Sequence, residues 1–219
     1  MELTDTIVKR QSIRKFKDID VPEEDIKTII EASSKAPSGK NIQNWHFVAI
    51  KNKELKEKIR EAIRTKNEEI VNRMALVDEE KAERFLKFAR NFTLFAADAP
   101  VLIIVFATDY TPSGYLELKF LGADESLTDD LKGRKNPGMQ SIGAAVTILS
   151  LKAVELGYGT CYMTSANYAG ALIQNILKEE EVFCKDDYYM CAMVPLGVPE
   201  EGAKSPGRKS LEEIYTFVK

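Results

Sequence analysis

The chain has 219 residues, 44% of them hydrophobic and 30% charged, with a formal net charge of −3. That length fits one well-filled domain, residues 1–219, of ordinary globular composition. The mild acidity argues against a general nucleic-acid or membrane-surface role. No apolar run reaches membrane-spanning length, and the acidic start Met1-Glu2-Leu3-Thr4-Asp5 does not read as a signal peptide. Cys161, Cys184 and Cys191 are odd in number and lack a Cys-x-x-Cys spacing. This suits a reducing, cytoplasmic setting. The chain has a single histidine, His46, which leaves little room for a metal site or a histidine-based triad, and no metal is expected. His46 reads as a packing or surface residue beside Trp45.

In chain order, Thr4 to Lys9 predicts a helix that delivers Arg10. Arg10-Gln11-Ser12-Ile13-Arg14-Lys15-Phe16 follows. Its two guanidinium groups flank a hydroxyl, a combination suited to phosphate and other multi-oxygen anions. Pro22 with Glu23, Glu24 and Asp25 starts a second helix with an Ile26, Ile29, Ile30 stripe, which must end before Pro37. Ala36-Pro37-Ser38-Gly39-Lys40-Asn41 is a turn in which Gly39 and Asn41 tolerate positive φ, and it can present backbone N–H groups. Phe47 to Ile50 is the first expected strand.

Lys53 to Glu69 has helical spacing with charge pairs on its wet face. A further helix from about Asp78 carries Phe85, Phe88, Phe92 and Phe95, a stripe expected in the core or at a subunit contact. Ala99 to Ala107 reads as a strand buried on both faces. Residues 109–137 are turn-rich and read as an insertion or lid. Met139 to Leu156 is apolar almost all round, so a buried helix capped by Gly157 is expected. Gly159 to Met163 is the next strand, Ala169 to Leu177 a helix and Met190 to Leu196 a buried strand. Ser210 and Glu213 form a capping box. Gly157-x-Gly159-x-x-Tyr162 imitates a dinucleotide fingerprint, but Tyr162 replaces the third glycine and the glycines follow a helix. A Rossmann site is therefore not expected.

Arg-x-Ser-Ile-Arg-x-Phe, then Ala-Pro-Ser-Gly-x-Asn-x-Gln-x-Trp-x-Phe, and later Leu196-Gly197-x-Pro199 with Gly207-Arg208-Lys209-Ser210-Leu211, resemble the FMN-dependent nitroreductase family. The resemblance implies an α+β fold, a mostly antiparallel central sheet flanked by helices, in an intertwined homodimer. It implies tightly bound FMN, with Arg10, Gln11, Ser12, Arg208 and Lys209 toward its phosphate. Arg14 would lie near the N1 and O2 edge, where it favours the negatively charged reduced flavin. Pro37, Ser38, Gly39 and Asn41 would form a ring-edge loop given across the dimer. Asn91 would reach the ring edge, and the strand-end Tyr162, Met163, Thr164 and Ser165 would offer a backbone N–H to N5. Leu94 departs from the family, which often has a lysine there, and Thr164-Ser165 departs from a common Glu-Gly pair.

The activity so implied is hydride transfer from NAD(P)H, a transient donor, to a small electron-poor aromatic acceptor, a nitroaromatic or a quinone, in a ping-pong cycle. No side chain acts as a nucleophile. The alternatives are specialised flavin chemistry on the same fold (flavin fragmentation to a benzimidazole, or reductive dehalogenation) and a flavin-binding module without turnover. A basic-arm interaction protein using Arg10, Arg14 and Lys15 is a further alternative, disfavoured by the acidic net charge.

Overall fold

The computed structural model describes residues 2–202 and 205–219. Helix α1 (Leu3–Lys9) and helix α2 (Glu23–Ser33) precede strand β1 (Trp45–Ile50). A long hairpin of α3 (Lys53–Ala75) and α4 (Glu79–Phe92) leads to β2 (Val101–Thr108). Two short helices, α5 (Tyr115–Phe120) and α6 (Glu125–Lys132), occupy the turn-rich stretch. Helix α7 (Pro137–Glu155), β3 (Gly159–Thr160), α8 (Gly170–Glu179), β4 (Tyr188–Gly197) and α9 (Leu211–Ile214) complete the chain.

The strands form one antiparallel sheet in the order β1-β2-β4-β3. β2 is central, and its period-2 alternation divides the core in two. Val101, Ile103, Val105 and Ala107 pack with Ile26 and Ile29 of α2 and Ile142, Val146 and Leu149 of α7. Leu102, Ile104 and Phe106 pack with Leu55, Ile59 and Ile63 of α3 and Ile173 and Leu177 of α8. The expected double burial of this strand is therefore realised, with helices on both faces.

Several elements differ from the sequence reading. α3 runs past Glu69 to Ala75, because Ile70 and Met74 continue its helical register. The strand expected over 159–163 is a two-residue ladder plus an isolated bridge between Met163 and Met193. The opposite edge of β3 is taken by the N-terminal segment, through a parallel bridge of Ser12 to Thr160. α7 is buried along Ile142, Ala145, Val146, Leu149 and Ala153, but Thr147 is exposed and Ala144, Ile148 and Leu151 are half-buried. One face of this apolar helix is thus left open in the protomer. Gly157 caps it in the left-handed region, at φ 89°, and α9 carries the expected capping box.

A β-bulge interrupts β2–β4: Val105 faces Ala192, Phe106 faces Met190, and Cys191 is the extra residue. Its carbonyl accepts from Asn167 Nδ2 at 2.6 Å. Cys191 Sγ lies 3.2 Å from the Val105 carbonyl, and burial pushes its thiol up to about 12.

His46 is the packing residue expected, with its ring 4.7 Å from Phe183 and 5.7 Å from Tyr188. Lys185 Nζ lies 3.5 Å from His46 Nδ1. Burial, then the Lys185 charge, push the imidazole below its ordinary value of 6.5. The fold thus favours the neutral ring: its stabilising contribution is complete above pH 6.5 and is lost as pH falls through the lower folded value. Urea midpoints taken at about pH 7.5 and about pH 5.5 should fall more for the wild type than for His46→Phe. Equal slopes would remove His46 as a source of acid sensitivity.

Gly159 admits the N-terminal segment by close approach, since a Cβ there would lie 2.5 Å from Ile13 Cγ1. Gly159→Ala should cost about 1–3 kcal/mol in chemical denaturation, as overpacked sites do. A variant as stable as the wild type would show that Ile13 yields freely.

Candidate functional site

The Gln11–Phe16 stretch is an extended strap across the sheet edge. Ile13 N–H donates to the Thr160 carbonyl at 2.9 Å, Lys17 N–H to Val198 at 2.8 Å and Glu200 N–H to Lys15 at 3.1 Å. Ile13 is buried and anchors the strap, while Ser12 and Arg14 point to solvent and Arg10 and Gln11 are half-buried. Arg10 follows the last turn of α1, where its N–H donates to the Thr6 carbonyl. Among the described residues, neither Arg10 nor Arg14 has a carboxylate within 4.0 Å, although many other basic residues do. Burial pushes the Cys161 thiol up, while Arg14, the Ser12 hydroxyl and Arg10 pull it down.

The strap thus sits beside the chain that follows β3. Met163 is locked, with its N–H and carbonyl both bonded to Met193 at 2.9 Å. Its N–H is therefore taken up within the protein. Among the described residues the N–H groups of Thr164 and Ser165 make no hydrogen bond. The Ser165 hydroxyl donates to the Phe92 carbonyl at 2.8 Å, joining this turn to the end of α4. Asn91 is exposed there, and Arg14 lies over the Phe92 ring, 5.6 Å from its centroid. Tyr162 is 43% exposed.

The aromatic stripe of α4, expected in the core or at a subunit contact, is not core at its last two rings. Phe85, Phe88 and Phe92 do stack along α4, at 6.0 and 5.6 Å between centroids, but Phe88 and Phe92 are 39% and 42% exposed. The stripe lies at the edge of the helix's buried face, set by Ala82 and Ala89, so its last two rings face outward. Leu94, where a lysine is frequent in the resembling family, packs half-buried against the core and brings no charge.

The Pro37–Asn41 turn lies elsewhere. Gly39 N–H donates to Ser141 Oγ at 3.4 Å, and Lys40 Nζ donates to the Thr111 carbonyl at 3.4 Å. Asn41 takes positive φ as expected, at 51°, but the neighbour that shares it is Lys40, at 53°, instead of Gly39. Gly39 is required for another reason: a Cβ there would meet Tyr110 Oη at 2.6 Å. Ser38 Oγ accepts from the Gln43 N–H at 3.0 Å and closes the turn. This turn is fastened near the start of α7, whereas the strap pairs with residues beyond its end. From Ser141 to Glu155 the helix advances about 21 Å.

Arg208 and Lys209 are exposed and make no hydrogen bond or ion pair among the described residues, so the protomer does not join them to Arg10. The tail around them also exposes Leu211, Ile214, Tyr215, Phe217 and Val218. A separate cavity of about 550 Å³ beside the start of α3 is lined by Asp18, Asp20, Lys53 and Lys56. Its buried Lys56 ammonium is occupied by the Ala99 and Pro100 carbonyls, and burial pushes its pKa down. That cavity holds none of the strap residues, and we read Lys56 as a structural tie.

Chemically, the strap side offers two guanidinium groups without carboxylate partners and two N–H groups without acceptors among the described residues, with a hydroxyl and an exposed aromatic ring. That donor set fits a planar, phosphorylated, oxygen-rich ligand. Among the described residues, no group of three or more metal-ligating side chains occurs, and no helix is long and apolar enough to cross a membrane.

Comparison with known proteins identifies the family and the fold. The Nitroreductase family profile matches residues 7–198. A BluB-like flavoprotein from Clostridium difficile 630 superposes with a TM-score of 0.97 at 54% identity, covering 100% of both chains. Iodotyrosine deiodinase 1 of Rattus norvegicus is 37% identical over 222 residues, which is 99% of this chain and 70% of the rat protein. A nitroreductase with bound FMN from Bacteroides fragilis NCTC 9343, at 22% identity and a TM-score of 0.66, covers both chains completely and shares the fold. The strap motif, the antiparallel sheet between two helical layers and the profile match across nearly all of the chain agree: this protein belongs to the nitroreductase family.

Proposed function

We propose that the chain is an FMN-dependent oxidoreductase that takes hydride from NAD(P)H and passes it to a small electron-poor aromatic acceptor, a nitroaromatic or a quinone. The observation that carries this reading is Arg14 over Phe92, at the end of α4 to which Ser165 also bonds, on a strap whose Arg10 and Arg14 have no carboxylate partner among the described residues. Bound FMN supplies a ring nitrogen, N5, that accepts and releases hydride.

The protein's own residues do the rest. Arg10, Gln11 and Ser12 hold the phosphate, where each charge-assisted hydrogen bond contributes roughly 1.5–3 kcal/mol. Arg14 holds positive charge against the ring edge that becomes negative on reduction, and the Phe92 ring beneath it limits where that charge can sit. The Thr164 and Ser165 N–H groups orient the N5 side, and Asn91 lies at the ring edge. Pro37, Ser38, Gly39 and Asn41 reach the flavin from a second copy of the chain, since they are fastened near the opposite end of α7 from the strap. Arg208 and Lys209 join the phosphate in the same assembled homodimer. The stretch 109–137, with α5 and α6, covers the open side, and the protein works in the cytoplasm.

A second reading, specialised flavin chemistry such as flavin fragmentation or reductive dehalogenation, is favoured by two observations. The 54% identical structure is described as BluB-like, and the 37% identical rat protein is an iodotyrosine deiodinase. Leu94 and the Thr164-Ser165 pair also depart from the common pattern.

The test is a visible spectrum of the purified protein before and after anaerobic NADH or NADPH. Flavin bands that bleach, and return when menadione is added, are the expected outcome. Flavin that binds but is reduced no faster than free FMN would sink the reductase reading. Release of dimethylbenzimidazole on exposure to oxygen, or of halide from a halotyrosine, would select the second reading.

A further inference from the structure

Between α3, α4 and the turn after β3 lies a buried chain of hydrogen bonds to which the proposed flavin contacts assign no role. Asn67 is 4% exposed and Thr93 is fully buried. The Tyr168 hydroxyl donates to Asn67 Oδ1. Asn67 Nδ2 donates to Thr93 Oγ1 at 3.0 Å, and the Thr93 hydroxyl donates to the Ala89 carbonyl at 2.6 Å. Every donor points the same way, from the turn after β3 to the last turn of α4. Tyr168 belongs to a 3-10 turn, Asn167–Ala169, that closely follows Ser165. Ser165 in turn donates to Phe92 at 2.8 Å. The end of α4 and the 163–168 turn are therefore stitched twice, once directly and once through α3.

Apolar side chains would fill the same space without needing polar partners. A directed chain adds a fixed geometry, because one orientation of the Asn67 amide satisfies both neighbours at once. The stitched segments are those that carry Asn91 and Phe92 on one side and the Thr164 and Ser165 N–H groups on the other. We infer that Asn67, acting through Thr93 and Tyr168, is a positioning residue that sets the spacing between these two walls of the flavin site. The inference rests on the flavin reading above. Its consequence is catalytic: donors aimed at a reacting atom lose effect when displaced by about 1 Å.

The experiment uses FMN-loaded protein. Asn67→Leu removes both amide bonds, Thr93→Val replaces the hydroxyl with a methyl, and Thr93→Ser keeps the hydroxyl. Flavin content, the midpoint potential of the bound flavin, and kcat and KM with NADPH and menadione are measured for each. Asn67→Leu and Thr93→Val should keep stoichiometric flavin, shift the potential and lower kcat about tenfold, while Thr93→Ser stays within about twofold of wild type. Loss of thermal stability alone, with potential and kcat unchanged, overturns the inference. So does an equal fall in the serine and valine variants. Should the α3 and α4 variants fail to fold, Tyr168→Phe removes the first bond of the chain at a half-buried site. It should shift the potential in the same direction, and a folded Tyr168→Phe with wild-type potential and kcat overturns the inference equally. A wild-type protein that holds no FMN, or is not reduced, fails the earlier reading before any variant is made.

Discussion

The latch between the N-terminal strap and the sheet is the constraint on which the site depends. Arg10 and Arg14 are long, flexible side chains on a stretch with no regular structure of its own. They acquire a fixed address because Ser12 and Ile13 pair with Thr160 and because Lys15 and Lys17 pair with the residues just after β4. Ile13 fills the space that Gly159 leaves open, so the latch is apolar as well as hydrogen-bonded. The cations are held without carboxylate partners among the described residues.

Around that latch the architecture is a division of labour by faces. β2 sends odd residues to α2 and α7 and even residues to α3 and α8, which makes the sheet a rigid partition. At the bulge near the start of β4, Asn167 of the turn after β3 satisfies the Cys191 carbonyl. The turn that carries Thr164, Ser165 and Tyr168 is thus tied to an irregularity in one strand pair.

Much of this was legible in the sequence. The double burial of β2, the proline-led start of α2, the Asp78 start of α4 and the capping box at Ser210 each rest on a local physical signal, and each is present. The strap residues were identifiable because their spacing resembles a family motif. What was hidden depends on tertiary context. Gly39 looked like a positive-φ position, but it is needed for the approach of Tyr110, a residue far along the chain. Phe88 and Phe92 had spacing that fits either a core or a subunit contact, and only the fold shows that their helix buries the adjacent alanine edge. The pairing of Met163 with Met193 also has no signal in the local sequence. No local pattern could have linked Asn67 to Tyr168.

The strand order also bears on how the chain folds. β1, β2 and β4 are neighbours in the sheet, but long helical stretches separate them in sequence, so no pair can close as a tight hairpin. Each ladder must bring together distant parts of the chain, which slows folding and leaves strand edges uncovered in the meantime. The α3–α4 hairpin is the large local unit available early, and α3 already carries the Leu55, Ile59 and Ile63 face that later covers β2. Synthesis from the N-terminus would complete β1, that hairpin and β2 well before β4 emerges. Until β4 arrives, one side of the apolar central strand has no partner. For this chain the dangerous interval is the wait for its last strand, and chaperone demand should concentrate there.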